Sequence, residues 1–277
     1  MQLASLETVR SLAARLARTA GRRASKEVVG TGCPALDRWL PGQGLVRGAL
    51  VEWLGVGQGS GASSLALALG WQACQAGKVL AVVDGRRLFY PPAVLAWGIP
   101  AGRLVVVRPA SERDLAWSMD QILRSPSIGA VVAWPEKIGD HTFRRWQLAA
   151  EAGNTLGMLV RSAQGRAGPS WADLRWRVTP LLWAARLGAA LPEPPALARR
   201  ILRLELLRHR SSSIELLAGD QPAGNPVASG SSAQHIDLEF EPCTGRLHET
   251  HSLSVASPER RGAYQAVEEL TRLRDLQ

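Results

Sequence analysis

A chain of 277 residues is long enough for one large α/β domain with small terminal additions, and 46% hydrophobic content is ordinary for a folded protein. No run of about 18 apolar residues occurs, which argues against a membrane-spanning helix. Met1 to Glu7 lacks the basic-then-apolar order of a secretory signal, so a cytoplasmic placement is expected. The net charge of +9 is almost wholly arginine, because Lys26, Lys78 and Lys137 are the only lysines. Either an anionic partner or a merely arginine-rich surface would account for it.

Residues 1–24 read as an amphipathic basic helix, with Leu6, Val9, Ala13 and Leu16 on one stripe and Arg10, Arg15, Arg18, Arg22 and Arg23 mostly around the other side. Such a helix either packs on its own domain or docks on a partner. From residue 25 to 165 strand, turn and helix signals recur in order, as a parallel sheet with crossover helices requires. Strands are predicted at 49–54, 79–84, 104–107, 129–133 and 156–160, with helices at 63–75, 111–124 and 141–152. That is a doubly wound α/β core.

Residues 166–257 read as a β-rich part of the same domain. Segments 174–178, 201–208 and 235–241 alternate apolar and polar residues, which predicts an antiparallel extension, and Pro242 and Gly245 predict a hairpin turn. The segment 187–198 is proline-rich, and a flexible loop is expected near 211–233, where serine, glycine and proline dominate. Residues 258–277 predict a second terminal helix, with Val267, Leu270 and Leu273 on its apolar stripe.

The most informative stretch runs from Val51 to Leu65. A strand entering Gly55, Gly57, Gly59, Ser60 and Gly61, then a helix carrying Ser63 and Ser64, is the geometry that turns backbone N–H groups and a helix N-terminus towards a phosphate. A working P-loop reads glycine, four residues, then Gly-Lys-Ser/Thr, the lysine bridging the β and γ phosphates and the hydroxyl holding magnesium. Neither register supplies that lysine. Aligning on Gly61 makes the loop one residue too long and puts Ala62 and Ser63 at the lysine and hydroxyl positions; counting from Gly55 puts Gly61 and Ala62 there. Lys78 stands at the far end of the following helix, roughly 20 Å away. The dinucleotide fingerprint fails too, since GxGxxG would need glycine at Ser60, Ala62 or Ser64. A tight glycine turn with no ligand is the simplest alternative.

Other constellations are weaker. Cys33, Cys74 and Cys243 form neither a disulfide framework nor a CxxC pair, and His248 and His251 would point to opposite faces of a strand, so no metal is expected. Most of the ten tryptophans should be core. Trp171, Trp176 and Trp183, set among Arg166, Arg175, Arg177 and Arg186, could instead stack bases while arginines neutralise phosphates.

The run Thr31-Gly32, Leu36-Asp37 and Gly44-Leu45-x-x-Gly48 before the 49–54 strand resembles the RecA recombinase family ahead of its P-loop. The similarity continues through Asp84, Trp97-Gly98-Ile99 and Leu104–Pro109 and covers roughly residues 28–162. Within that superfamily Phe89-Tyr90-Pro91-Pro92, Val107–Ala110, Phe143–Glu151 and Pro169–Trp176 look most like the ImuA family. The resemblance implies a RecA-like sheet, a nucleoid-associated cytoplasmic role and work beside an ImuB-like Y-family polymerase homologue, an error-prone DNA polymerase and RecA in SOS-linked translesion synthesis. It also implies that the region after the fifth strand contacts single-stranded DNA, here through Arg166, Trp171, Arg175, Trp176 and Arg177.

The departures from the RecA pattern matter as much. A glutamate that activates water should follow the second core strand, but the chain reads Asp84-Gly85-Arg86-Arg87. An aspartate should close the later apolar strand, but 129–134 has none, and Glu136 and Asp140 come late. The expectation is a non-hydrolysing accessory protein with no catalytic residue and no cofactor beyond weak ATP binding, docking partners through Leu6, Val9, Leu16, Val267, Leu270 and Leu273. The rival is a DNA-dependent ATPase with an altered loop.

Overall fold

The computed structural model describes residues 27–40, 42–75, 77–163, 170–181, 200–209 and 235–250. The terminal helices with their six docking candidates, the proline-rich segment, the 211–233 loop and Arg166 lie outside the described residues.

A short antiparallel ribbon, β1 (Val28–Val29) with β2 (Leu45–Val46), frames helix α1 (Pro34–Trp39). Then come β3 (Leu50–Gly55), α2 (Ala62–Gln72), β4 (Val79–Val83), α3 (Pro91–Leu95), β5 (Leu104–Val107) and α4 (Glu112–Arg124). The core closes with β6 (Ile128–Ala133), α5 (Asp140–Gly153) and β7 (Leu156–Ser162), and the remainder is β8 (Leu174–Leu181), β9 (Arg200–His209), β10 (His235–Glu241) and β11 (Arg246–Glu249). Among the described residues one nine-stranded sheet runs β11-β10-β9-β8-β3-β7-β6-β4-β5. The six strands from β8 to β5 in that order are parallel, and β9, β10 and β11 add antiparallel.

β8 corrects one expectation. Its alternating pattern suggested the antiparallel extension, yet it runs parallel to β3, and only its other edge pairs antiparallel, with β9. The cause lies just upstream. Asp173 N–H donates to the Leu50 carbonyl at 2.8 Å, and the Leu50 N–H donates to the Asp173 carboxylate at 2.9 Å. The chain is thus seated beside the start of β3 before β8 begins, so both strands set off in one direction.

Helix α2 is apolar almost all round, and its run Leu65–Gly70 is buried. Such a helix needs cover on every side. The sheet covers one side, where Gly70 meets Ala130, Leu80 and Val132. The antiparallel strands supply more cover, since Leu202, Leu204, Leu238 and Phe240 join the same cluster. The sheet therefore curls round α2, and the segment after α3 reaches across to the β10–β11 turn. Trp97, after α3, donates its indole N–H to the Pro242 carbonyl at 2.8 Å and meets Phe240 edge-on at 6.0 Å. The opposite face is closed by α4 and α5 over Leu50, Val83, Val131 and Ala133. Ser111 caps α4, accepting from the Asp114 N–H at 3.1 Å.

Candidate functional site

The glycine loop lies at the carboxyl end of β3, at the crevice where open α/β sheets bind ligands. Its entry from β3 is pinned from both flanks: Ala163 N–H donates to the Gly55 carbonyl, and Val56 N–H to the Val178 carbonyl, both at 2.9 Å. Gly57, Gly59 and Gly61 have φ of 76°, 71° and 83°, left-handed values that explain why glycine recurs at every second position. Gly61 is the N-cap of α2, so the helix begins at Ala62. This selects between the two registers. Ala62 stands at the lysine position, Ser63 at the magnesium-binding hydroxyl, and residues 56–60 make a loop one residue longer than a P-loop.

The residues at the lysine and hydroxyl positions are engaged elsewhere. Ala62 is 2% exposed and belongs to the α2 core. Ser63 Oγ accepts the indole N–H of Trp134 at 2.9 Å, and Trp134, the residue directly after β6, lies 6.3 Å from the Phe89 ring. A direct indole-to-hydroxyl bond thus ties the end of β6 to the first turn of α2. Ser60 is buried, its hydroxyl turned back against Gly55 and 3.4 Å from the Ala62 N–H. Ser64 is half-buried on the first turn of α2. On the β9 side Leu202 presses on Gly61 so closely that a Cβ there would lie 2.7 Å from its methyl. Lys78 precedes β4 at the opposite end of the parallel strands.

The acids nearby serve structure. Asp84 is 2% exposed and accepts the N–H groups of Leu88 and Phe89 at 3.1 and 3.0 Å, holding the turn after β4. Glu136 is paired with Arg86. A concavity of about 480 Å³ lies elsewhere, between Gly32–Ala35, Gln72 and Arg246–Glu249, beside the far end of α2.

Two of the nucleic-acid candidates, Trp176 and Arg175, are committed to the interior. Trp176 is fully buried, stacked on Trp53 at 6.3 Å and 13°, with Trp39 tilted against it at 6.4 Å. It offers no face to a base. Arg175 Nε is 2.9 Å from Glu52 Oε2, Arg161 Nη1 is 2.6 Å from Oε1, and Ser170 Oγ donates to Oε2 at 2.9 Å. Arg177 is on the same face as Arg175 and pairs with Glu205 at 2.7 Å, about half exposed. Trp171 is half-buried under the Arg144 guanidinium, 5.2 Å from its ring centre. Strand periodicity was the available signal: alternate residues of β8 point to opposite faces, so Trp176 and its flanking arginines cannot share a surface. Glu52 was missed by sequence reasoning, although it is the only charge in an otherwise apolar central strand.

A curled parallel sheet entered by a glycine loop and extended by antiparallel strands defines a RecA-like protein. The crystal structure of the RadB recombinase has this fold, with a TM-score of 0.53 over 80% of this chain and 100% of RadB at 15% identity. The RecA proteins of Deinococcus radiodurans and Rhodopirellula baltica match at 34% over 106 residues and 26% over 113, covering 38% and 41% of this chain and 29% and 30% of theirs. The ImuA protein of Caulobacter vibrioides (strain NA1000 / CB15N) is 32% identical over 176 residues, 58% of this chain and 72% of ImuA. The chain belongs to the ImuA family. No family model matches it.

Proposed function

We propose that this chain is a non-hydrolysing RecA-like accessory protein of DNA-damage tolerance, acting by binding an ImuB-like polymerase homologue and its associated error-prone polymerase in translesion synthesis. The observation that carries the reading is the Trp134-to-Ser63 hydrogen bond beside Ala62. With no lysine for the phosphates and the hydroxyl already accepting a hydrogen bond from an indole, the loop retains a turn and a helix N-terminus but is poorly equipped to fix magnesium. The scaffold is then a binding platform, and membership of the ImuA family is what points to the polymerase cassette. Direct contact with single-stranded DNA does not run through Trp176 or Arg175 in this reading.

Calorimetric titration with ATP, with and without magnesium, tests it. Weak or absent heat with no magnesium dependence is expected. Tight magnesium-dependent binding would favour the rival reading of a DNA-dependent ATPase with an altered loop.

A further inference from the structure

The turn that replaces the catalytic-glutamate segment carries the two most exposed of the large apolar side chains among the described residues. Leu88 is 76% and Tyr90 is 68% exposed, while Phe89 between them is half-buried against Trp134. This display is not a frayed loop. Asp84 takes the N–H groups of both Leu88 and Phe89, Asp84 N–H donates to the Val107 carbonyl at 2.8 Å, and Gly85 is backed closely enough that a Cβ there would lie 3.3 Å from Leu115 and 3.8 Å from Pro109. Large apolar groups held outward by a braced backbone are arranged as anchors for a partner, because little entropy is lost when they are covered.

The charges around them select the partner. Among the described residues Arg87, Arg108 and Lys137 are exposed and carry no ion pair. Of the acids at this edge, Asp84 is buried, Glu136 is held by Arg86 and Asp114 by Ser111. Glu112 and Asp140 sit in the first turns of α4 and α5, where a helix N-terminus already favours them. These contacts steady the carboxylates without cancelling their charge, but the charges flanking the apolar pair most directly, Arg87 within the turn and Arg108 next to its brace at Val107, are positive and carry no ion pair among the described residues. We propose that the Gly85–Tyr90 turn, with Leu88 and Tyr90 as anchors and Arg87 and Arg108 as flanking cations, docks an acidic segment of a partner protein bearing leucine or phenylalanine. This surface needs only the braced turn, whatever the glycine loop holds, and so stands apart from the hydrolysis question.

Fluorescence anisotropy with the full chain tests it, using a labelled synthetic peptide of about 15 residues with leucine and phenylalanine among aspartate and glutamate. The matched probes are the same peptide with lysine for each acid and a single-stranded thymidine oligonucleotide. Saturable binding of the acidic peptide is expected, weakened about tenfold or more by Leu88→Ser with Tyr90→Ser. Arg87→Asn with Arg108→Glu should move the preference to the lysine peptide. Asparagine is chosen because Arg87 has φ of 58°, and Arg108→Glu alone serves if the pair fails to fold. Absence of saturable binding by the acidic peptide would overturn the proposal, as would binding unaffected by the Leu88 and Tyr90 changes. So would a preference for the oligonucleotide that is lost in the arginine variant, which would mark the edge as a nucleic-acid surface.

Discussion

Replacing Glu52 by alanine removes the only charge in β3 and strands two guanidiniums beneath the sheet face. Glu52 is fully buried, and the side chains of Arg161 and Arg175 are 8% and 12% exposed, so water cannot readily take over. Breaking a buried pair by removing one partner costs about 3–5 kcal/mol. For a chain of this size that is a fall in melting temperature of about 10 °C. Glu52→Gln keeps an acceptor for Ser170 and should fall less. Arg177→Ala breaks an ion pair in which Arg177 is 45% exposed, and should cost no more than about 1 kcal/mol. Changing Glu52, Arg161 and Arg175 together to methionine should recover much of the loss, because well-packed apolar groups often match a buried ion cluster. Thermal unfolding followed by circular dichroism measures the series. If Glu52→Ala melts no lower than Arg177→Ala, the buried cluster and the placement of β8 beside β3 are wrong.

Gly61→Ala should destabilise by about 1–3 kcal/mol through its left-handed backbone and the Leu202 clash, and adding Leu202→Ala should relieve only the clash, measurable as coupling in a double-mutant cycle. Gly245→Ala, at φ of 66° with its Cβ 2.5 Å from the Trp97 ring, should lower the melting temperature and loosen the hairpin turn, visible as faster hydrogen exchange there. Burial raises the Cys74 thiol to about 11, and Cys33 is equally inaccessible, so a thiol reagent at neutral pH should label Cys243 in the native protein and all three cysteines after unfolding. Because the folded value is raised from 9.0, the stability from burying the neutral Cys74 thiol is fully present below about pH 9 and is lost towards pH 11. The alkaline decline in melting temperature should accordingly be shallower in Cys74→Ala.

The α/β core was legible because its buried strands are short apolar runs and its outer helices keep a 3.6-residue period. β5 was read at Leu104–Val107 without error, and α4 to within one residue. The direction of β8 was not legible, since alternation reports which faces are wet and nothing about which neighbour lies alongside. The loop register stayed open for a related reason: glycines at 55, 57, 59 and 61 allow two counts, and only the start of α2 at Ala62 decides between them. Trp176 misled because tryptophans set among arginines suggested a stacking surface, when strand parity alone separates ring from guanidinium. Nothing local in the sequence joins Trp134 to Ser63 or Trp97 to the hairpin turn, because these pairs form only after the sheet has curled.

The central claim is that the phosphate loop no longer supports hydrolysis. Phosphate release from ATP by the 277-residue chain, measured with magnesium in the presence and absence of single-stranded DNA, addresses it most directly. Release indistinguishable from the protein-free rate under both conditions is predicted. DNA-stimulated turnover that is abolished by changing the loop residues Ser60, Gly61 and Ser63 would contradict it.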